Sequence, residues 1–287
     1  MKFKYIFILL IFFIVNNFYS KNKLIDIVGD QKEKEISQQI DKGLSQNYKT
    51  IKKLDISVDK IKKCLSIFGI NKINSTYQEK NKIIYNSDCS KLEIDYDNGT
   101  IYFERNIDPI SDKIYIVEKT YIEISNIVNN IITNLDINLG SDYTKITGSN
   151  YFEKYDLSGK LISKTLLSHI ISFRKKFNKK DVLGKGGVIS FFIRKDGIIE
   201  KAYINWYKED IVTKTLNDKK YLSKQQVYEE IEDILNKYID KGYSNLNIKD
   251  IDILYDIIED NNDLFIIPCL IFKIENLDLY QVIDHVK

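Results

Sequence analysis

The chain has 287 residues, enough for two modest domains with cores of their own. Its 43 Lys plus Arg stand against 41 Asp plus Glu, and a net charge of +2 supplies no global field that would attract nucleic acid. This excludes a nucleic-acid role, and the abundance of Lys, Ile, Asn and Tyr reads as coding bias toward A and T, so Lys-rich stretches carry little weight by themselves.

At the N-terminus, Lys2 and Lys4 precede an apolar run from Tyr5 to Val15. Its length falls within the ~7–15 residues of a signal-peptide core and short of the ~20 residues of a membrane span. Residues 1–20 are expected to form a signal peptide or short anchor, with Ser20 as a small residue for cleavage although Phe18 stands where a second is favoured. The rest of the chain is then expected to be exported, in the periplasm or at the cell surface. An oxidising compartment would let Cys64 and Cys89 pair, the alternative being buried thiols, and Cys269 in "IIPCLIF" reads as core.

Residues 21–50 are polar and mixed in charge, and are expected to be a linker or arm with at most a weak helix. Beyond them a helix followed by a hairpin recurs three times. Ser57 caps a first helix whose stripe is Val58, Ile61, Leu65 and Phe68, with Gly69 at its end. The hairpin "KLEIDYDNGTIYFE" follows, with Leu92, Ile94 and Tyr96 on one face and a two-residue turn at Asn98-Gly99.

A second helix starts at Thr120, where Glu123 completes a capping box, and carries Ile124, Ile127, Val128, Ile131, Ile132 and Leu135 at helical spacing. An irregular region is expected from Gly140 to Lys180, with His169 on a helix. A hairpin then turns at Asp196-Gly197. The third helix opens at Ser223 with Gln226 in the capping-box position, and the last two strands flank "EDNND". Pro268 cannot donate to a ladder, which predicts an edge strand or a bulge there. The fold class is α+β, antiparallel sheets with helices on one face, organised as a degenerate helix–hairpin module over 51–112 and a larger domain over 113–287.

Chemical motifs are weak. Gly184, Gly186 and Gly187 lead into a strand rather than a helix, so they are read as a loop and not a phosphate cradle. Glu93, Asp95, Asp97 and Glu104 approach the spacing of a calcium loop, but Asn98 holds the place of the required glycine, and a hairpin explains them better. His169 and His285 fit no metal or triad pattern, so neither a catalytic residue, a metal nor a cofactor is expected. Two surfaces remain. Arg174, Lys175, Lys176, Lys179 and Lys180 are candidates for an anionic wall polymer or lipid head group. Lys201, Tyr203, Asn205 and Tyr207, opposite the apolar face of Ile198, Ala202, Ile204 and Trp206, are candidates for binding a partner protein.

The order of "ISFRKKFNKKDVLGKGGVISFFIRKDGIIEKAYINWY", "LSKQQVYEEIEDIL" and "LYDIIEDNNDLFIIPCLIF" resembles the C-terminal domain of the YycH and YycI regulators and related PepSY-like extracytoplasmic proteins. The residues that carry it are Gly197 in the hairpin, Trp206 in the strand, Ser223 at the helix cap and Pro268 in the closing strand, best over residues 115–275. The resemblance implies a repeated PepSY-like module in a non-catalytic envelope protein that binds another envelope protein, a sensor kinase or a protease.

Overall fold

The computed structural model describes residues 27–44, 49–106, 118–184, 186–209, 222–260 and 263–284. The signal-peptide reading of residues 1–20 and the reading of His285 lie outside them. The chain divides into two units: one of residues 1–48, 216–254 and 267–287, the other of residues 49–215 and 255–266.

In the larger unit, helix α2 (Val58–Ile67) starts where Ser57 Oγ accepts from the Lys60 amide, and Gly69, at φ +66°, follows its end. Ile61, Cys64 and Phe68 face inward, and Phe68 stacks on Phe103 at 4.4 Å. Val58, expected in that stripe, is 67% exposed, because the inward row is Lys60, Cys64 and Phe68 at four-residue spacing. Helix α3 (Tyr121–Asn134) carries the complete Thr120–Glu123 capping box, and Ile124, Val128, Ile131, Ile132 and Leu135 are buried as its periodicity requires.

These helices share one core with the inner face of a nine-stranded sheet. In chain order its strands are β2 (Ser75–Gln78), β3 (Lys82–Asn86), β4 (Ser90–Asp95), β5 (Thr100–Arg105), β6 (Tyr143–Tyr155), β7 (Leu161–Phe177), β8 (Lys180–Asp181), β9 (Val188–Arg194) and β10 (Ile199–Asn205). Their order in space is β2-β3-β4-β5-β10-β9-β7-β6, all antiparallel, with β8 beside β7. The β5–β10 pairing, Phe103 opposite Ala202, joins the early hairpin to the later one in a single sheet. Alternate residues Leu92, Ile94, Ile101, Phe103, Phe191, Ile193, Ala202 and Ile204 are buried.

Three expectations change here. Asp95 pairs with Thr100, so the hairpin loop spans four residues, with Asn98 donating its amide to Asp95 Oδ1 and Gly99 at φ +59°. Among the described residues the region from Gly140 to Lys180 holds the longest hairpin, and His169 lies in strand β7 rather than on a helix. The Asp196-Gly197 hairpin forms as expected, with Gly197 at φ +94°.

A second, smaller core in this unit gathers Ile51 of β1 (Lys49–Lys53), Tyr207 of β11 (Tyr207–Glu209), Val182, Tyr255, Leu264 and Ile266. The last three belong to β12 (Ile248–Asp260) and β13 (Asp263–Ile274), each of which contributes residues to both units.

The other unit packs α1 (Asp30–Leu44) and α4 (Lys224–Ile239) with its portions of β12 and β13 and with β14 (Leu279–Asp284). Within the expected polar linker, Asp30–Leu44 is thus a helix. Ile36 and Ile40, one turn apart, are 1% and 0% exposed, and burying an Ile contributes about 1.5–3 kcal/mol. Lys224 Nζ donates to Asp41 Oδ2 at 2.6 Å and the Tyr228 hydroxyl to Glu33 Oε1 at 2.6 Å, linking α4 to α1. Ser223 and Gln226 form the second capping box.

Strand β13 is interior to the five-stranded sheet, order β11-β1-β13-β12 with β14 also on β13, which corrects the edge-strand expectation for Pro268. Pairing with β1 covers Leu264 to Ile266 and pairing with β14 starts at Cys269, so on that side of the strand Pro268 falls between the two registers.

Candidate functional site

Strand β10 was expected to show Lys201, Tyr203, Asn205 and Tyr207 on an open face. It does not. Pairing slips between Ile199 and Lys201, so Glu200 is bulged and the buried row begins at Ile199 rather than Ile198. Asn205 is 4% exposed and donates to Thr100 Oγ1 at 3.0 Å, and Tyr207 is 7% exposed within the smaller core. Burial, with Tyr203 and Glu259 nearby, pushes the Tyr207 phenol up to about 12. Lys201 is the open member, ion-paired with Glu104 at 2.5 Å, and Tyr203 is half-buried between β5 and β9.

The basic run is also dispersed. Alternation along β7 puts Arg174 outward and Lys175 inward, where Lys175 is buried with Nζ 5.5 Å from the centre of the Trp206 ring. Lys176 lies 3.9 Å from Asp181, and Lys179 sits in the turn after β7 at φ +63°. With Lys180 in β8, the five cations do not converge on one anion site.

No disulfide joins the cysteines: Cys64 lies in the core, its thiol pushed up to about 12 by burial, while Cys89 is exposed and Cys269 is buried. Glu93 is held below the usual carboxylate range by Lys82 and Lys91 against the effect of its partial burial. Among the described residues no group of three or more His, Cys, Asp or Glu side chains is placed to hold a metal ion.

A hollow of about 690 Å³ opens beside β4, β5 and the bulge of β10, and Cys89, Lys91, Glu104, Arg105, Glu200 and Lys201 line it. Hydrogen bonds from Lys201 and Tyr102 hold Glu104 below its ordinary range, whereas burial raises Glu200 above it. Arg105 donates through Nη2 to the Phe68 carbonyl. Positive and negative side chains alternate and pair around this hollow, so no single charge is focused on a ligand.

The most prominent exposed feature lies elsewhere. β7 pairs with β9 only from Ser168 to Arg174, yet pairs with β6 along nearly its whole length. Tyr151–Tyr155 and Leu161–Leu166 therefore form a two-stranded arm, ~17 Å long at ~3.4 Å per residue, closed by a turn with Gly159 at φ +82°. Asp156 Oδ1 accepts from the Ser158 and Lys160 amides to fix that turn.

The arm exposes Tyr151, Phe152, Tyr155, Leu157, Leu161 and Ile162, the last at 57%. One face is self-supporting: Lys164 Nζ lies 2.8 Å from Glu153 and 4.3 Å from the centre of the Tyr151 ring, and the Tyr155 hydroxyl donates to Glu153 at 2.6 Å. Phe152, Leu157 and Ile162 have no such support. Sequence reasoning passed over the arm because both its faces are open, so the apolar alternation of a half-buried strand is missing. The signal was "YDLSGK", an Asp-initiated turn between segments rich in Tyr, Thr, Phe and Ile.

The chain matches no protein-family model, and no curated protein is significantly similar to it in sequence. What the fold defines is a mixed α and β protein built on mostly antiparallel sheets. Among the described residues no helix is long and apolar enough to cross a membrane.

Proposed function

We propose that this is an exported, non-enzymatic protein of the cell envelope that acts by binding another envelope protein, in the manner of the PepSY-like and YycI-like regulators that its sequence resembles. The β6–β7 arm carries this reading. A two-stranded ribbon is marginal in water on its own, and side chains such as Phe152, Leu157 and Ile162 are exposed without a structural return. Docking against a protein surface would bury them, and exposed aromatic residues are the type that protein interfaces enrich. Export rests on the Lys2, Lys4 and Tyr5–Val15 pattern.

The test is in-cell crosslinking of the tagged chain followed by mass spectrometry, comparing the wild type with a Phe152→Ser, Leu157→Ser, Ile162→Ser variant. Reproducible capture of one envelope kinase or protease, lost in the variant, supports the reading. Equal capture by both proteins removes the arm from it.

A further inference from the structure

We infer that the outer edge of β6 pairs with the same edge of a second copy, forming an antiparallel dimer about a two-fold axis at Ser149. β6 is the terminal strand of its sheet and is 13 residues long. Among the described residues nothing pairs with its outer side. Proteins normally blunt such an edge with a short strand, a proline, a bulge or unmatched charges. β6 contains no proline, and both register slips in the hairpin fall on β7: Asn150 pairs with Ser168 and Tyr151 with Leu166, then Lys154 with Ser163 and Tyr155 with Leu161. The inner strand absorbs the irregularity and the outer edge stays regular.

Two of the three charges on β6 complete the argument, because Lys145 and Glu153 match each other, while Lys154 stands opposite the neutral Thr144. With two antiparallel copies centred on Ser149, Lys145 of each copy stands opposite Glu153 of the other, Ile146 opposite Phe152, and Tyr143 opposite Tyr155. Opposite charges and aromatic or β-branched partners are the favourable cross-strand pairs. A shift of two residues in either direction sets Lys145 opposite Tyr151 or Tyr155 and loses both ion pairs, so the pattern selects one register. Residues directly opposite each other then lie on the same face, as the two-fold axis requires. Association of this kind is an isologous contact, which closes at two copies.

This inference goes beyond the proposed binding of another envelope protein and does not compete with it. Strand pairing uses the edge of β6, while the side chains of Leu157 in the turn and Ile162 on β7 lie off that edge and remain for a different partner.

The experiment is sedimentation equilibrium on the full chain, with Lys145→Glu, Glu153→Lys and the double exchange, each checked for folding by circular dichroism. The wild type is expected to dimerise. Either single reversal sets like charges opposite each other twice and weakens association on the order of tenfold. The double exchange recovers it, although Lys164 of the same chain still meets the wrong charge at position 153, so recovery reports the contact between copies. A wild type that stays monomeric overturns the inference, as does a double exchange no better than the singles. In a Cys89→Ser background, Ser149→Cys is expected to form a disulfide-linked dimer, whereas Thr147→Cys is not. Equal crosslinking at both positions, or none, also overturns it. A monomer whose arm still captures another envelope protein sinks only the self-pairing, and a dimer that captures nothing else sinks only the proposed function.

Discussion

Gly186 lies against the Cε2–Oη edge of the Tyr207 ring: a Cβ built on the glycine would fall within the van der Waals radii of Cε2, Cζ and Oη. The glycine run is thus a packing device as well as a turn, since it lets the loop before β9 pass against a tyrosine buried in the smaller core. Gly186→Ala is expected to cost about 1–3 kcal/mol through overpacking, and Tyr207→Ala about 3–5 kcal/mol through the cavity it leaves. In the double variant the clash disappears with the ring, so the two losses should not add. Urea denaturation of the four proteins measures this coupling, and strict additivity would mean that glycine and ring do not meet.

The three cysteines should separate by reactivity. Cys89 is exposed, whereas Cys64 and Cys269 are buried and the Cys64 thiol is further disfavoured as a thiolate by desolvation. Brief treatment of the native protein with iodoacetamide should modify Cys89 alone, and modification of the other two should require denaturant. Intact mass before and after reduction checks both points. A loss of free thiols from Cys64 and Cys89 together in the oxidised protein would restore the disulfide that the fold does not contain.

The caps were legible because they are local. Ser57, Thr120 and Ser223 each act within three residues of themselves, so no tertiary knowledge was needed to place the helix starts. The candidate face on β10 failed for a tertiary reason. The bulge at Glu200 shifted the alternation, and the chain then leaves β10 for β11, so that adjacent Trp206 and Tyr207 enter two different cores and both are buried. Helix α1 was hidden by its charges: Ile36, Ile40 and Leu44 make a stripe one residue wide, enough to dock on α4 yet too narrow to dominate the composition.

Glu200 gives a prediction with a definite sign. Burial raises its pKa against the opposing pull of Arg194, so its folded value lies above its unfolded one. A carboxyl of that kind contributes its stability in full below the unfolded pKa and loses it as pH rises through the folded pKa. Glu200→Gln, which cannot ionise, should therefore raise the melting temperature at pH 7 and leave it unchanged near pH 4. A variant less stable than the wild type at pH 7 would mean that attraction to Arg194 outweighs desolvation.

Trp206 is the single tryptophan of the chain, 1% exposed, with its indole Nε1 donating to the Asn138 carbonyl at 3.0 Å and the Lys175 ammonium above its ring. Its fluorescence therefore reports on the larger unit alone, while circular dichroism reports on both. Native emission should be shifted to the blue of free tryptophan, resist quenching by iodide, and move to the red on unfolding. Trp206→Phe keeps an aromatic ring but strands the Asn138 carbonyl, and should cost about 1–3 kcal/mol. Lys175→Gln removes the charge over the ring, and for a desolvated pair of this type should cost up to about 2 kcal/mol. Both losses are read as shifts of the urea midpoint at constant slope. If Trp206 emission is red-shifted and quenched in the native protein, the indole is in water and the β10–β11 corner is packed differently from the arrangement described above.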